Sequence, residues 1–199
     1  MPKSKQKKKQ DSTTQTTTLD SKVCGIDYSI TSPAFTIYDG SNFNTHYLVA
    51  RDSDLVLGRE TSETLNPKLY PQWDNNIQRF SRIASWVCDE LMWQMRPSIC
   101  IENYAYAATG RVFDIGENTG ILKYKLNKCG MAFQTVTPQI VKKFATGKGN
   151  AKKSDMYDAF VEDSGLDLGK IKQWSDIADS YWIAKWFYYT STSDTSSIT

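Results

Sequence analysis

The sequence has very few of the residues that build zinc sites or disulfide frameworks. Its 199 residues include one histidine and four cysteines, at positions 24, 88, 100 and 129. No two of these cysteines form a Cys-x-x-Cys pair. We therefore expect neither a structural zinc site nor a set of disulfides, but reduced thiols packed inside a cytoplasmic protein.

Long apolar stretches are also missing. No run approaches the roughly 20 residues that a membrane-spanning helix needs. The charged N-terminus is not followed by the apolar segment of a secretory leader. An integral membrane protein or a secreted one is therefore not expected. A hydrophobic fraction of 40% and an aromatic fraction of 13% are nevertheless enough for a folded core, and the length suits one domain.

The net charge of +2 is too small to suggest a polyanionic partner, but the charge is unevenly distributed. Residues 1–22 hold six Lys and two Asp, and the rest of the chain holds 18 basic and 20 acidic residues. We expect a disordered basic tail over 1–22, one folded domain over 23–190 and a disordered Ser/Thr-rich tail over 191–199. The basic tail either adds affinity for phosphate backbones or is only a solvated leader, and the sequence leaves both open.

The order of apolar patterns predicts an α/β protein with a mixed sheet. Three strand-like runs come first and should form antiparallel pairs, with an Asp-Gly-Ser-Asn turn between the second and third. A polar stretch, about 51–72, is interpreted as a loop, and strands then alternate with helices. The predicted strands are 23–30, 34–38, 43–50, 98–102 and 131–137, and the predicted helices are 73–95, 113–128, 138–144, 152–163 and 175–189. The sequence therefore predicts a five-stranded mixed sheet flanked by helices.

Four acidic residues stand at the ends of predicted elements. Asp27 and Glu102 each finish an apolar strand, and Asp176 and Asp179 begin the last helix on one of its faces. Each has an ordinary explanation alone, as a strand terminus or as an acid favoured by a helix dipole. Taken together, they supply carboxylate oxygens from separate elements, which is what Mg²⁺ prefers and what phosphodiester hydrolysis with one or two ions needs.

A block of five lysines without an acid precedes the last two helices. Its members are Lys142, Lys143, Lys148, Lys152 and Lys153. They are candidates for phosphate contacts, with Gly147 and Gly149 letting the backbone approach DNA. The alternative is a solvated basic loop. Tyr104 and Tyr106, which follow Glu102, either stack on opened bases or pack against a helix. The lone His46 is expected to be structural or a surface residue.

These motifs resemble those of RuvC-like Holliday junction resolvases. Gly25-Ile26-Asp27-Tyr28-Ser29 is similar to the family's opening motif, Ile101-Glu102 to its second acidic motif, and Asp176-Ile177-Ala178-Asp179 to its terminal Asp-x-x-Asp pair. Lys142 and Lys153 fall on the family's functional lysines, around a Gly-x-Gly turn. The residues after Glu102, together with Arg111-Val112-Phe113, look most like tailed-phage members. Tyr28-Ser29 departs from the Pro-Gly of bacterial members.

The resemblance implies a ribonuclease H-like fold and a homodimer. It also implies Mg²⁺-dependent paired nicking of four-way DNA junctions, with Mn²⁺ expected to substitute for Mg²⁺. The four acids would be catalytic metal ligands, and Lys153 would steady the scissile phosphate. Other hypotheses are a related nuclease that cuts RNA–DNA hybrids or forks, and a branched-DNA-binding protein without catalysis.

Overall fold

The computed structural model describes residues 22–103 and 112–193. A single sheet runs through the described residues in the order β4-β3-β2-β1-β5-β6. Its strands are β1 (Val23–Asp27), β2 (Ala34–Tyr38), β3 (Phe43–Val49), β4 (Leu65–Leu69), β5 (Ser98–Glu102) and β6 (Phe133–Val136). The helices are α1 (Asp52–Thr61), α2 (Asn76–Trp93), α3 (Val112–Lys128), α4 (Pro138–Thr146), α5 (Lys153–Ser164) and α6 (Trp174–Ser193). The sheet is mixed, because β1–β3 pair antiparallel while β4, β5 and β6 pair parallel to their neighbours.

The prediction of a mixed α/β sheet with three antiparallel strands is confirmed, but its strand count is wrong by one. The stretch 51–72, interpreted as a loop, contains α1 and the edge strand β4. The sequence of β4 is Leu-Asn-Pro-Lys-Leu, which has no β-branched residue. Pro67 has no N–H to donate, and it is tolerated because an edge strand pairs on one side only. Pairing with β3 therefore makes this segment a strand, whereas its own propensity does not.

Two apolar cores lie on opposite faces of the sheet. Alternate strand residues point to opposite faces. Val23 therefore packs with α4, α5 and α6, while Cys24 and Ile26 pack with α2 and α3. Three cysteines are buried in these cores, and all four are free thiols. By the same alternation, Asp27 points to the α6 face.

Helix α6 lies directly against β1 at Gly25. A Cβ at that position would stand 2.1 Å from the Ala184 backbone nitrogen and 2.6 Å from the Ser180 carbonyl oxygen. Any side chain larger than hydrogen would therefore push the helix off the strand. The close approach brings the first turns of α6 beside the end of β1.

A row of buried hydroxyls fixes the same contact. Gly25, Thr36 and Thr45 stand opposite one another on β1, β2 and β3. The Ser180 hydroxyl on α6 donates to the Ile177 carbonyl, so its oxygen accepts from Thr36 at 2.8 Å, and Thr36 accepts from Thr45 at 2.8 Å. The chain of hydrogen bonds ties the helix to three strands and satisfies every hydroxyl that the contact buries.

In the described part of the chain, none of the helices combines the length and apolarity needed to cross a bilayer.

The Gly25 contact predicts that adding one methyl group at position 25 destabilises the folded protein strongly. Gly25→Ala should lower the free energy of unfolding by roughly 1–3 kcal/mol or more, because the added Cβ meets backbone atoms that cannot yield. Gly120→Ala is the matched control, since a Cβ there meets nothing within 4 Å on the exposed face of α3. It should be neutral or stabilising by up to about 1 kcal/mol. Urea unfolding of both variants tests the contact, and equal effects of the two would contradict it.

Candidate active site

Asp27 and Glu102 lie side by side at one edge of the sheet. Strands β1 and β5 are parallel neighbours with Ile26 opposite Ile101, and each acid is the last residue of its strand. Both carboxylates are partly buried, and both line the same cavity of about 320 Å³. Parallel pairing is what brings them together, since the carboxyl ends of parallel strands share an edge.

Helix α6 adds the other two predicted acids. Asp176 lies in its first turn and is buried, and Asp179 lies one turn later and is partly buried. The tight contact of α6 with Gly25 sets how far these carboxylates stand from Asp27. The structure thus brings together all four acidic residues that the sequence singled out.

The carboxylates influence one another's protonation. Burial raises the pKa of Asp27 well above its ordinary value, and the negative charges of Glu102, Asp179 and Asp176 raise it further. Burial, followed by repulsion from Asp179, raises the pKa of Glu102 to about 7. Burial likewise raises the pKa of Asp179 to about 6 against the opposing effect of Lys153. Asp27, Glu102 and Asp179 therefore titrate as a coupled group, with their pKa values raised toward neutral pH.

Two of the five predicted lysines face this group. The ammonium of Lys153 lowers the pKa of Asp27, Glu102 and Asp179, and that of Lys142 lowers the pKa of Glu102 and Asp179. Lys153 Nζ also donates to Ser175 Oγ at 3.3 Å, and Ser175 Oγ donates to Asp176 Oδ2 at 3.3 Å. These cations offset part of the repulsion among the acids.

The other lysines of the block have a looser relation to the acids. Lys143, Lys148 and Lys152 are exposed around the ends of α4 and α5. Gly147 ends α4 with a left-handed φ of 77°, so a helix terminus accounts for this glycine. The contacts of Lys143, Lys148 and Lys152 with phosphates stay a prediction.

Some predicted features lie outside the described residues. Tyr104, Tyr106 and Arg111 belong to this group, as do the basic tail up to residue 21 and residues 194–199. His46 is described, and it is structural as expected. It lies buried in β3 and stacks on Phe35, with ring centroids 4.7 Å apart.

Ser175 is a site residue that the sequence pattern did not single out. A serine next to an acid at the start of a helix usually serves as a cap, so nothing in the pattern points to a bridge between Lys153 and Asp176. The bridge depends on how α5 and α6 pack, which local sequence does not encode.

The donor chemistry of the group suits Mg²⁺. Four carboxylates converge from β1, β5 and α6, and their mutual repulsion raises their affinity for any cation as it does for protons. Among the described residues, no three His, Cys, Asp or Glu side chains already stand as a metal-binding set. The four acids are nevertheless close enough for the charges of Glu102, Asp179 and Asp176 to raise the pKa of Asp27. Oxygen donors supplied from three elements are the donor set that a hard divalent cation prefers, so the chemistry of these residues fits the ion.

Comparisons with known proteins found matches among solved structures only. No protein-family model and no curated protein sequence matches the chain. A structure of RuvC from Thermus thermophilus matches with a TM-score of 0.57 and 18% identity, over 86% of this chain and 96% of that one. A second, of T. thermophilus RuvC in complex with a Holliday junction substrate, matches with a TM-score of 0.60 and 19% identity, over 86% and 97%. The chain therefore has a RuvC-like, ribonuclease H-like fold.

The raised pKa values predict how the stability of the metal-free protein depends on pH. The folded-state pKa values of Glu102 and Asp179, about 7 and about 6, lie above the ordinary values of these groups. The stability that they contribute is therefore complete below about pH 4 and is lost as pH rises through about 6 to 7. In EDTA, the free energy of unfolding should fall by on the order of 2 kcal/mol between about pH 5.5 and pH 8.

The variant Asp27→Asn should reduce that fall, because it removes one of the repelling charges. It should raise the stability measured by urea unfolding near pH 8. Asp158→Asn, at an exposed position on α5, is the control and should leave the pH dependence unchanged. A parent protein that gains stability over this pH range would contradict the clustering of the four acids.

Proposed function

We propose that this protein is a Mg²⁺-dependent, structure-selective DNA endonuclease that resolves four-way junctions by paired nicking. The observation that carries the proposal is the convergence of Asp27, Glu102, Asp176 and Asp179 at one sheet edge, with Lys153 and Lys142 facing them. Four acids that repel one another destabilise the folded protein unless a bound cation neutralises their charge. Phosphodiester hydrolysis is the chemistry for which such a set is suited.

The comparison with solved structures supports the choice of substrate. One of the two RuvC structures with the same fold contains a Holliday junction substrate. The likeness covers 86% of this chain. We therefore place branched DNA ahead of other nucleic acids.

Each residue of the site has a distinct part in the proposed reaction. Asp27, Glu102, Asp176 and Asp179 would hold one or two Mg²⁺ ions, with Mn²⁺ able to substitute. When bound, the metal would activate a water molecule and neutralise developing charge on the phosphate. Lys153, held over the carboxylates by its hydrogen bond to Ser175, would bind a non-bridging phosphate oxygen. Lys142 would keep the site positive enough for a phosphate to approach.

DNA binding outside the site is assigned to exposed positive charge. Lys143, Lys148 and Lys152 would contact the phosphate backbone, which positions DNA without reading its sequence. Tyr104 and Tyr106 would stack on bases opened at the junction. The finer resemblance to tailed-phage members rests mainly on this same segment after Glu102, and it is part of the proposal.

A homodimer would supply the second cut. Helix α2 covers the sheet with its buried face, yet Ile77, Met92 and Trp93 are exposed on it, Trp93 by 83%. Exposed apolar side chains on one helix suit an interface with a second copy of the chain. Two copies would present two sites to the two strands that resolution requires.

A nuclease acting on RNA–DNA hybrids or forks would use the same carboxylates. Cleavage rates on junction, fork, flap and hybrid substrates separate these possibilities directly. A binding protein without catalysis is less favoured, since the four carboxylates would only repel the phosphates that it binds.

The first prediction of the proposed function concerns Asp27. Asp27→Asn should reduce Mg²⁺-dependent cleavage of a synthetic four-way junction by more than about 100-fold, because the site loses a central ligand. Junction affinity measured by gel shift in EDTA should stay within a few-fold of the parent value. The same variant is expected to fold more stably near pH 8, so loss of cleavage could not be ascribed to unfolding. Cleavage at the parent rate would refute the metal assignment.

The second prediction separates the two kinds of lysine. Lys153→Gln should slow cleavage of bound junction by roughly 100-fold, because one charge-stabilising donor at the phosphate is lost. Lys143→Gln should instead weaken junction binding and reduce the dependence of log affinity on log salt by about 1. Single-turnover cleavage and salt titrations of binding measure the two effects. Identical behaviour of the two variants would contradict the distinct role of Lys153.

A further inference from the structure

The cavity beside the carboxylates has walls unlike those of a phosphate site. Besides Asp27 and Glu102, it is lined by residues 28–31 and by Ile115 of α3. Its volume of about 320 Å³ exceeds what a single nucleobase occupies. Tyr28, Ile30 and Ile115 contribute apolar surface, and Ser29 and Thr31 contribute hydroxyls.

The charge of this cavity argues for a neutral occupant. Apart from Asp27 and Glu102, which the proposed function assigns to Mg²⁺, the described lining residues offer apolar side chains and hydroxyls, and none of them offers positive charge to a phosphate. A nucleobase is flat, uncharged and apolar on its faces, with hydrogen-bonding groups at its edge. Apolar walls with a few hydroxyls are the surroundings that such a group requires.

The wall formed by residues 28–32 is held by side chains from far along the chain. The segment has no regular secondary structure. Arg79 Nη2 donates to the Ile30 carbonyl at 2.5 Å, and the Tyr70 hydroxyl donates to the Thr31 carbonyl. Within the segment, the backbone nitrogen of Ser32 donates to Ser29 Oγ at 3.0 Å. The position of the wall is therefore set from outside by two side chains.

The two clamping side chains are themselves held in place. The Arg79 guanidinium lies 4.9 Å from the centre of the Trp73 ring, and Tyr70 meets that ring edge-on at 5.6 Å. Arg79 also hydrogen-bonds the Tyr70 hydroxyl. Arg79 therefore directs its charge to a neutral carbonyl and an aromatic face. That arrangement contributes rigidity to the wall.

We infer that the cavity beside Asp27 and Glu102 is a subsite for the nucleobase next to the scissile phosphate, and that Tyr70 and Arg79 are positioning residues that set which base it accepts. The inference rests on the proposed function, because it needs DNA at the carboxylates. The subsite would give the protein a preference for certain bases at the cleavage site. That preference would depend on residues 28–32 and not on the four acids.

The test measures cleavage of four-way junctions that carry each of the four bases at the positions flanking the cut. Tyr70→Phe removes only the hydroxyl that holds Thr31 and should change the ratios of cleavage rates among bases by roughly threefold or more. Ile115→Ala enlarges the cavity and should change them by roughly tenfold. The Mg²⁺ concentration for half-maximal cleavage should stay the same in both variants. A general loss of structure would change it.

Tyr38→Phe is the matched control. The Tyr38 hydroxyl also donates to a backbone carbonyl, that of Gly40 at 2.9 Å, but in the hairpin at the other end of β2. Its base ratios should equal those of the parent. Unchanged ratios in both Tyr70→Phe and Ile115→Ala, with the parent cutting junctions, would overturn the subsite and leave the proposed function standing.

A second measurement does not depend on cleavage. In EDTA, junctions with 2-aminopurine at each flanking position should brighten at one position when the parent binds, as that base leaves the stack. Ile115→Phe, which fills the cavity, should reduce the increase. Binding without any position-dependent change would overturn the subsite. A parent that neither cuts nor binds junctions would overturn the proposed function and the subsite with it.

Discussion

The close contact between α6 and β1 at Gly25 is the constraint on which the candidate site depends. With only a hydrogen atom between helix and strand, α6 can lie low enough for its first two turns to reach the end of β1. The hydroxyl chain through Ser180 and Thr36 then fixes the helix along its own axis. One turn of slippage would move Asp176 and Asp179 by about 5 Å. The contact therefore determines whether four separate acids form one group.

The same contact must also withstand the repulsion that it creates. Burial and neighbouring negative charge disfavour the ionised form of Asp27, and a flexible scaffold would relieve this strain by separating the carboxylates. Here α6 is held by its buried Tyr181, Trp182 and Phe187 in the core on that face of the sheet. The cations of Lys142 and Lys153 compensate in part, and they approach from α4 and α5 rather than from α6. Apolar burial thus supplies the stability that the charged site removes.

Local patterns predicted β1 to β3 and the acids that end strands, because each is encoded by adjacent residues. Short runs rich in apolar and β-branched residues define β1 to β3, and an acid that ends an apolar strand is conspicuous wherever it occurs. The edge strand β4 was missed because Pro67 and its polar neighbours form a strand only through pairing with β3. Ser175 was missed for a similar reason. It is an ordinary residue whose contact with Lys153 arises from the packing of two helices. The two features that the sequence did not predict, β4 and the role of Ser175, both depend on contacts between residues far apart in the chain.

The features that place the carboxylates differ in kind from those that shape the neighbouring cavity. Asp27 and Glu102 stand at the ends of paired strands, so the backbone hydrogen bonds of the sheet fix their positions. The wall of the cavity has no such support. It depends on the side chains of Tyr70 and Arg79, which belong to the β4–α2 connection and to α2. Changes in those side chains can move the wall while the acids stay where the sheet holds them. If the proposed subsite takes a base, a fold built this way would be able to change which base it takes without rebuilding the four acids.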